Sequence, residues 1–134
     1  MGPIGHKTPE ALTLLERVLQ LNGDFRQILE SIRVTPFQAG VILFLHRHAD
    51  ARMTDAATAL RVRMPTLGEV VNDLVRKRWV TKRRSVTDSR EMHLYLSWQG
   101  HTLARHIEQR VRQMEATLIG PDPPALCMHL KGSA

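Results

Sequence analysis

From Thr8 to Ile32, apolar residues recur at Leu12, Leu15, Val18, Leu19, Phe25, Ile28, Leu29 and Ile32, a helical period that predicts one long amphipathic helix. Thr8 suits its N-cap and Pro9 its first turn, while Asn22 and Gly23 interrupt the stripe. The segment RVTPFQ restarts the pattern. Thr35 suits a second cap, Pro36 fits the first helical position, and Gln38 stands where a capping-box side chain reaches back to the cap N–H. The helix that follows carries Phe37, Val41, Phe44 and Leu45 inward. HADARM then reads as a connection, and Thr54 as the cap of a short alanine-rich helix, DAATAL, ending near Leu60. A further helix beginning near Met64 and Pro65 puts Leu67, Val70, Val71 and Leu74 on one face.

Beyond that helix the period shortens to two. Met92, Leu94 and Leu96 point one way and Glu91, His93 and Tyr95 the other, the pattern of a half-buried strand. Paired with Trp79 to Arg84 across the turn-prone SVTDS, it predicts a hairpin. A last long helix follows Ser97, with Leu103, Ile107, Val111, Met114 and Leu118 as an inward stripe, stopped by GPDPP; ALCMHL reads as a final short turn. The expectation is a single domain, 1–134, mainly α with a small β-hairpin. Its middle order of helix, short helix, helix and hairpin is a winged helix-turn-helix plan over 35–97, with the wing at 79–97.

Composition narrows what such a plan is for. Among 134 residues, 19 Lys and Arg face 13 Asp and Glu, a net charge of +6, which favours a polyanionic partner such as nucleic acid or an anionic surface. Between Arg76 and Arg90 the imbalance is sharpest: Arg76, Lys77, Arg78, Lys82, Arg83, Arg84 and Arg90 against Asp88 alone. A solvated charge run is the plain alternative. One cysteine, Cys127, excludes an internal disulfide framework, and no apolar run is long enough to span a bilayer or resembles a signal sequence. The expected home is the cytoplasm, without a membrane partner.

The stretch DSREMHLYLSWQG, Asp88 to Gly100, resembles the wing signature of the multiple-antibiotic-resistance regulator (MarR) family, an Asp-x-Arg pair followed by a strand ending in Leu-Ser/Thr and then x-x-Gly. Asp88, Arg90, Leu96, Ser97 and Gly100 fall on that pattern. Leu60, Thr66, Val71 and Leu74 keep the helix-turn-helix spacing, and Val80 and Arg83 suit the strand entering the wing. The resemblance runs from about Thr35 to Gly100. It implies a homodimeric transcription regulator, usually a repressor, with helices over 8–32 and 98–130 forming the dimer. Such a regulator binds a pseudo-palindromic operator in double-stranded DNA and often releases it when a small aromatic or phenolic ligand binds.

By the same resemblance Arg90 meets phosphate or the minor groove, with Asp88 orienting its guanidinium, unless the pair only pins the turn. Arg63, Thr66 and Asn72 of the recognition helix, and Arg83 and Arg84 of the wing, complete the expected DNA contacts. Three residues depart from the family pattern. Glu69 brings a carboxylate to the recognition helix, which repels phosphate unless it accepts from a cytosine amino group. Gly68 loosens the helix or admits a DNA backbone. Arg78 takes the place of a glycine after this helix, which forces a residue with a side chain into a left-handed cap or moves the helix end.

Other chemistry is thinner. His46 and His48 lie two apart and His101 and His106 five apart, so neither pair has the spacing to hold one ion, and no metal or other cofactor is expected. Cys127 lacks a resolving partner. Arg17, Phe44, His46, Trp98 and His101 are the candidate ligand cleft, because the expected fold brings their segments together. No nucleophile elbow, phosphate loop or paired-acid arrangement supports an enzyme. The alternative is a winged-helix domain used for protein association, with Glu69 and Met64 on a surface that no longer reads bases.

Overall fold

The computed structural model of the chain describes residues 10–118, and two compact units divide the chain at Pro36. The expected cap at Thr8 and Pro9, the GPDPP stop, the ALCMHL turn and Cys127 lie outside the described residues. In the first unit, helix α1 (Glu10–Leu29) runs unbroken through Asn22 and Gly23, and its last residues tighten into a 3-10 turn at Glu30–Ile32. Arg33, left-handed at φ 58°, ends that turn by donating its N–H to Glu30 O at 3.0 Å. Leu14, Leu15, Val18 and Leu19 of α1 stand exposed.

Helix α2 (Pro36–Arg47), which lies in the second unit from Phe37 on, buries Val41, Ile42 and Leu45. Proline at the first helical position loses nothing, since its N–H would have no intrahelical acceptor. HADARM is more than a connection. Ala51–Arg52 forms a strand, β1, so the expected two-stranded hairpin is the outer part of a three-stranded antiparallel sheet ordered β1-β3-β2. In it, β2 is Val80–Arg84 and β3 is Met92–Leu96, with Ala51 opposite Leu94, and Val80 opposite Leu96 through to Arg84 opposite Met92. Leu94, at the centre of the middle strand, is fully buried, as the alternating pattern requires.

Helix α3 (Met53–Leu60) starts one residue before Thr54, so Thr54 is not its cap. Asp55 does the capping from inside the first turn, accepting the Arg52 backbone N–H at 3.2 Å and the Arg52 guanidinium at 2.9 Å. A carboxylate there also meets the positive end of the helix dipole. Helix α4 (Met64–Arg76) follows and buries Leu67, Val71 and Leu74 completely, while Val70 is half-buried at the edge of the same face. Each such side chain contributes about 1.5–3 kcal/mol by leaving water. Two arginines close these helices in left-handed backbone, Arg61 at φ 57° and Arg78 at φ 65°. After α4, Arg78 N–H donates to Val75 O at 2.9 Å and Trp79 N–H to Leu74 O at 3.0 Å, the paired bonds of a Schellman stop. Arg78 therefore adopts the glycine conformation at a cost of about 1–2 kcal/mol, and the helix end does not move.

The signature Leu-Ser-x-x-Gly is a joint. Ser97 Oγ donates to Arg78 O at 2.7 Å and accepts the Gly100 N–H at 3.1 Å, capping α5 (Trp98–Leu118) while tying it to the turn after α4. A Cβ on Gly100 would lie 2.3 Å from Trp79 O, so only glycine lets the first turn of α5 come this close. Leu103, Ile107 and Met114 are buried along α5 and Val111 is half-buried.

Candidate nucleic-acid interface

Helix α4 lies with its apolar face in the core and Arg63, Thr66, Glu69 and Asn72 exposed. Arg63 is the N-cap residue, in extended backbone at the helix start, so the expected DNA contacts Arg63 and Thr66 share the first turn. Around Gly68 a methyl group would meet nothing within 4 Å, which leaves that part of the helix surface open. Glu69 projects beside it with no ion pair to any described residue.

Asn72 has a different immediate task from the one expected. Its side-chain oxygen accepts from Lys82 Nζ of β2 at 2.9 Å, which bridges the recognition helix to the wing and holds that ammonium between them. Several neighbouring cations at the end of α4 and along β2 are similarly ordered. The Arg83 guanidinium lies 5.4 Å from the Tyr95 ring centroid, Lys77 lies 5.2 Å from that of Trp79, and Arg84 Nη1 donates to Ser89 O at 2.7 Å. Arg76 pairs with Asp73 one turn earlier. All these side chains remain exposed, so their charges face water while their stems are held.

Asp88 and Arg90 do not form the expected carboxylate–guanidinium pair. Asp88 Oδ1 accepts the Arg90 backbone N–H at 3.0 Å, and Asp88 O accepts the Glu91 N–H at 3.0 Å. The aspartate builds the turn, in the manner of an Asx motif. The Arg90 guanidinium has no partner among the described residues and stands exposed.

A second polar cluster supports the base of the wing. His93 of β3 bridges Asp50 at 2.6 Å and Glu91 at 3.4 Å, and Arg52 joins Glu91 at 3.1 Å. The Asp50 hydrogen bond is the main reason the His93 pKa rises above the ordinary histidine value, and bonds from Tyr95 and His93 hold Asp50 below the usual carboxylate range. Asp50 has φ 62°, a left-handed turn that delivers its carboxylate to the sheet. The alternation of β3 shows that His93 faces outward; its partners Asp50 and Glu91 lie just before β1 and β3, and no period marks the first of them.

Of the candidate ligand residues, the structure brings His46 and His101 together, Nδ1 to Nδ1 at 2.9 Å, one ring from α2 and one from α5. Burial, the facing His46 and Arg105 push the His101 pKa down. Phe44 packs on His48 at 4.5 Å between centroids, Trp98 is 74% exposed, and Arg17 is exposed on α1 in the other unit. No group of three His, Cys, Asp or Glu side chains fit to hold a metal occurs among the described residues.

Two helices joined by a tight left-handed turn, the second exposed and followed by a basic β wing, define a winged helix-turn-helix protein. Residues 34–91 match the MarR family. The chain is 24% identical over 99 residues to the uncharacterized HTH-type transcriptional regulator YpoP of Bacillus subtilis (strain 168), covering 73% of this chain and 70% of that one. The fold is similar to that of S. aureus MepR in a DNA complex, with a TM-score of 0.81 at 20% identity over 94% of this chain and 93% of that one. It is also similar to the transcriptional repressor CouR bound to a 23-mer DNA duplex, with a TM-score of 0.79 at 22% identity over 90% and 88%. A MarR regulator from Methanosarcina mazei Go1 gives 0.74 at 17% identity over 92% and 88%.

Proposed function

We propose that this chain is a sequence-selective double-stranded DNA-binding transcription regulator, acting in the cytoplasm as a homodimeric repressor on a pseudo-palindromic operator. The observation that carries the reading is one continuous exposed surface: the first turn of α4, with Arg63 as its one cation, beside a wing on which Lys82, Arg83 and Arg84 are braced outward. Helix α4 enters the major groove with Thr66 and Arg63 toward base edges, and Arg83, Arg84 and Arg90 meet phosphate. Asn72 and Asp88 serve that contact by positioning Lys82 and the wing turn. The exposed leucines and valine of α1 supply an apolar face for the second copy, which sets two recognition helices about one DNA turn apart. A small aromatic or phenolic ligand acts by binding the DNA-competent and incompetent spacings unequally.

The test is a salt titration of binding to DNA flanking the gene, with scrambled DNA as control. Selective binding with a steep salt slope is expected, since each neutralised phosphate contributes a slope of about 0.9. Arg90→Ala weakens binding on every sequence, whereas Thr66→Ala does so mainly on the selected one. Absence of binding even at low salt overturns the proposal in favour of a protein-association domain.

A further inference from the structure

The side chains of Arg84, Ser85 and Asp88 fold the wing tip. Ser85 Oγ accepts the backbone N–H of Thr87 at 3.3 Å and of Asp88 at 3.2 Å, and the Asp88 carboxylate accepts that of Arg90. Arg84 clips Ser89 O, and Ser85 N–H closes the strand pair on Glu91 O at 2.9 Å. Val86 alone in this turn is apolar, and it is 101% exposed. No other described valine of the second unit is exposed: Val41, Val71 and Val80 are buried, and Val62, Val70, Val75 and Val111 half-buried. A single exposed valine is ordinary on a protein surface. One presented by a hydrogen-bonded turn, at the summit of the most basic segment of the chain, has a polyanion as its nearest prospective neighbour.

The minor groove fits such a side chain. Its walls are deoxyribose, its floor over A·T pairs carries only acceptors, and over G·C pairs the guanine 2-amino group rises into it. A β-branched side chain on a braced turn loses little freedom on entry, and apolar wedges are a known means of contacting this groove. We infer that Val86 is the groove-reading residue of the wing: the arginines hold the wing across the phosphates, and the Val86 isopropyl group rests on the minor-groove floor, favouring A·T where guanine's amino group would occupy its space. This rests on the DNA-binding reading above.

The test uses duplexes that the full chain selects from a random pool. Each A·T pair in the flanks of a selected duplex is replaced singly by G·C, and by inosine·C, which lacks the 2-amino group. At one flank position in each half-site, G·C weakens the unaltered protein by about tenfold, within the range for a single mismatched pair, and inosine·C restores binding. Val86→Ala binds all three duplexes within about twofold of one another, with an unchanged circular dichroism spectrum. Equal discrimination by the unaltered protein and Val86→Ala, or failure of inosine to restore binding, overturns the inference while leaving the DNA-binding reading standing. Failure of the unaltered protein to select any sequence removes that reading, and the inference with it.

Discussion

Helix α4 and the wing lie side by side but are positioned by opposite means. Leu67, Val71 and Leu74 fix α4 through complete burial, and its exposed first turn carries one cation, Arg63. Apart from Val80 at its root, β2 is exposed along its length, and the tip takes its shape from hydrogen bonds within itself. Apolar packing sets where a helix sits to a fraction of an ångström, because a close-packed core resists small shifts. Short polar turns set shape locally and leave charges free to attract. On the proposed reading this would seat selectivity on the packed helix and attraction on the hydrogen-bonded loop.

Removing one core contact should break that division most severely. Leu74→Ala is expected to cost about 2–5 kcal/mol of stability, read from denaturant unfolding, and to abolish selective binding at temperatures where the chain still folds. Arg83→Gln with Arg84→Gln should leave the unfolding midpoint nearly unchanged while flattening the salt dependence of binding by about two in slope. Gly68→Ala sharpens the contrast further. With open space around its Cβ, it should stabilise the free protein by about 1 kcal/mol, and yet weaken DNA binding if the helix approaches the backbone there.

The smallest expected effects are those of pH, and they carry opposite signs. His93 has a raised pKa in the folded protein, so its bridge contributes fully below the unfolded value near 6.5 and is lost as pH rises through the folded one. His101 has a lowered pKa, so the unfolded chain takes up its proton first and stability falls as pH drops from about 6.5 toward the lowered value. Melting curves between pH 8 and 5.5 should therefore show the advantage of the native protein over His93→Gln growing on acidification, and its advantage over His101→Gln shrinking. Parallel behaviour of the two variants would contradict the assigned environments.

Much of this was legible in the sequence because periodicity and turn chemistry are local. The helices, the alternation of β3, Pro36 at a helix start and the left-handed option at Arg78 each follow from a few adjacent residues. Strand β1 was not, since two residues cannot display a period of two. The cap of α3 escaped because the residue before it is an arginine, and Asp55 works from inside the turn. Asn72 with Lys82, and His46 with His101, are 10 and 55 residues apart, separations that only the fold closes. Asp88 was expected to hold the Arg90 guanidinium and instead accepts its backbone N–H, a choice that spacing alone does not make.

The Ser97 hydroxyl gathers the end of α4, the root of the wing and the start of α5 within one hydrogen-bonded knot, and Gly100 leaves no gap in it. In mechanical terms this is a welded elbow rather than a hinge. A torque applied along α5 arrives at recognition helix and wing together, so a tilt of that one shaft would withdraw both from the duplex in a single stroke.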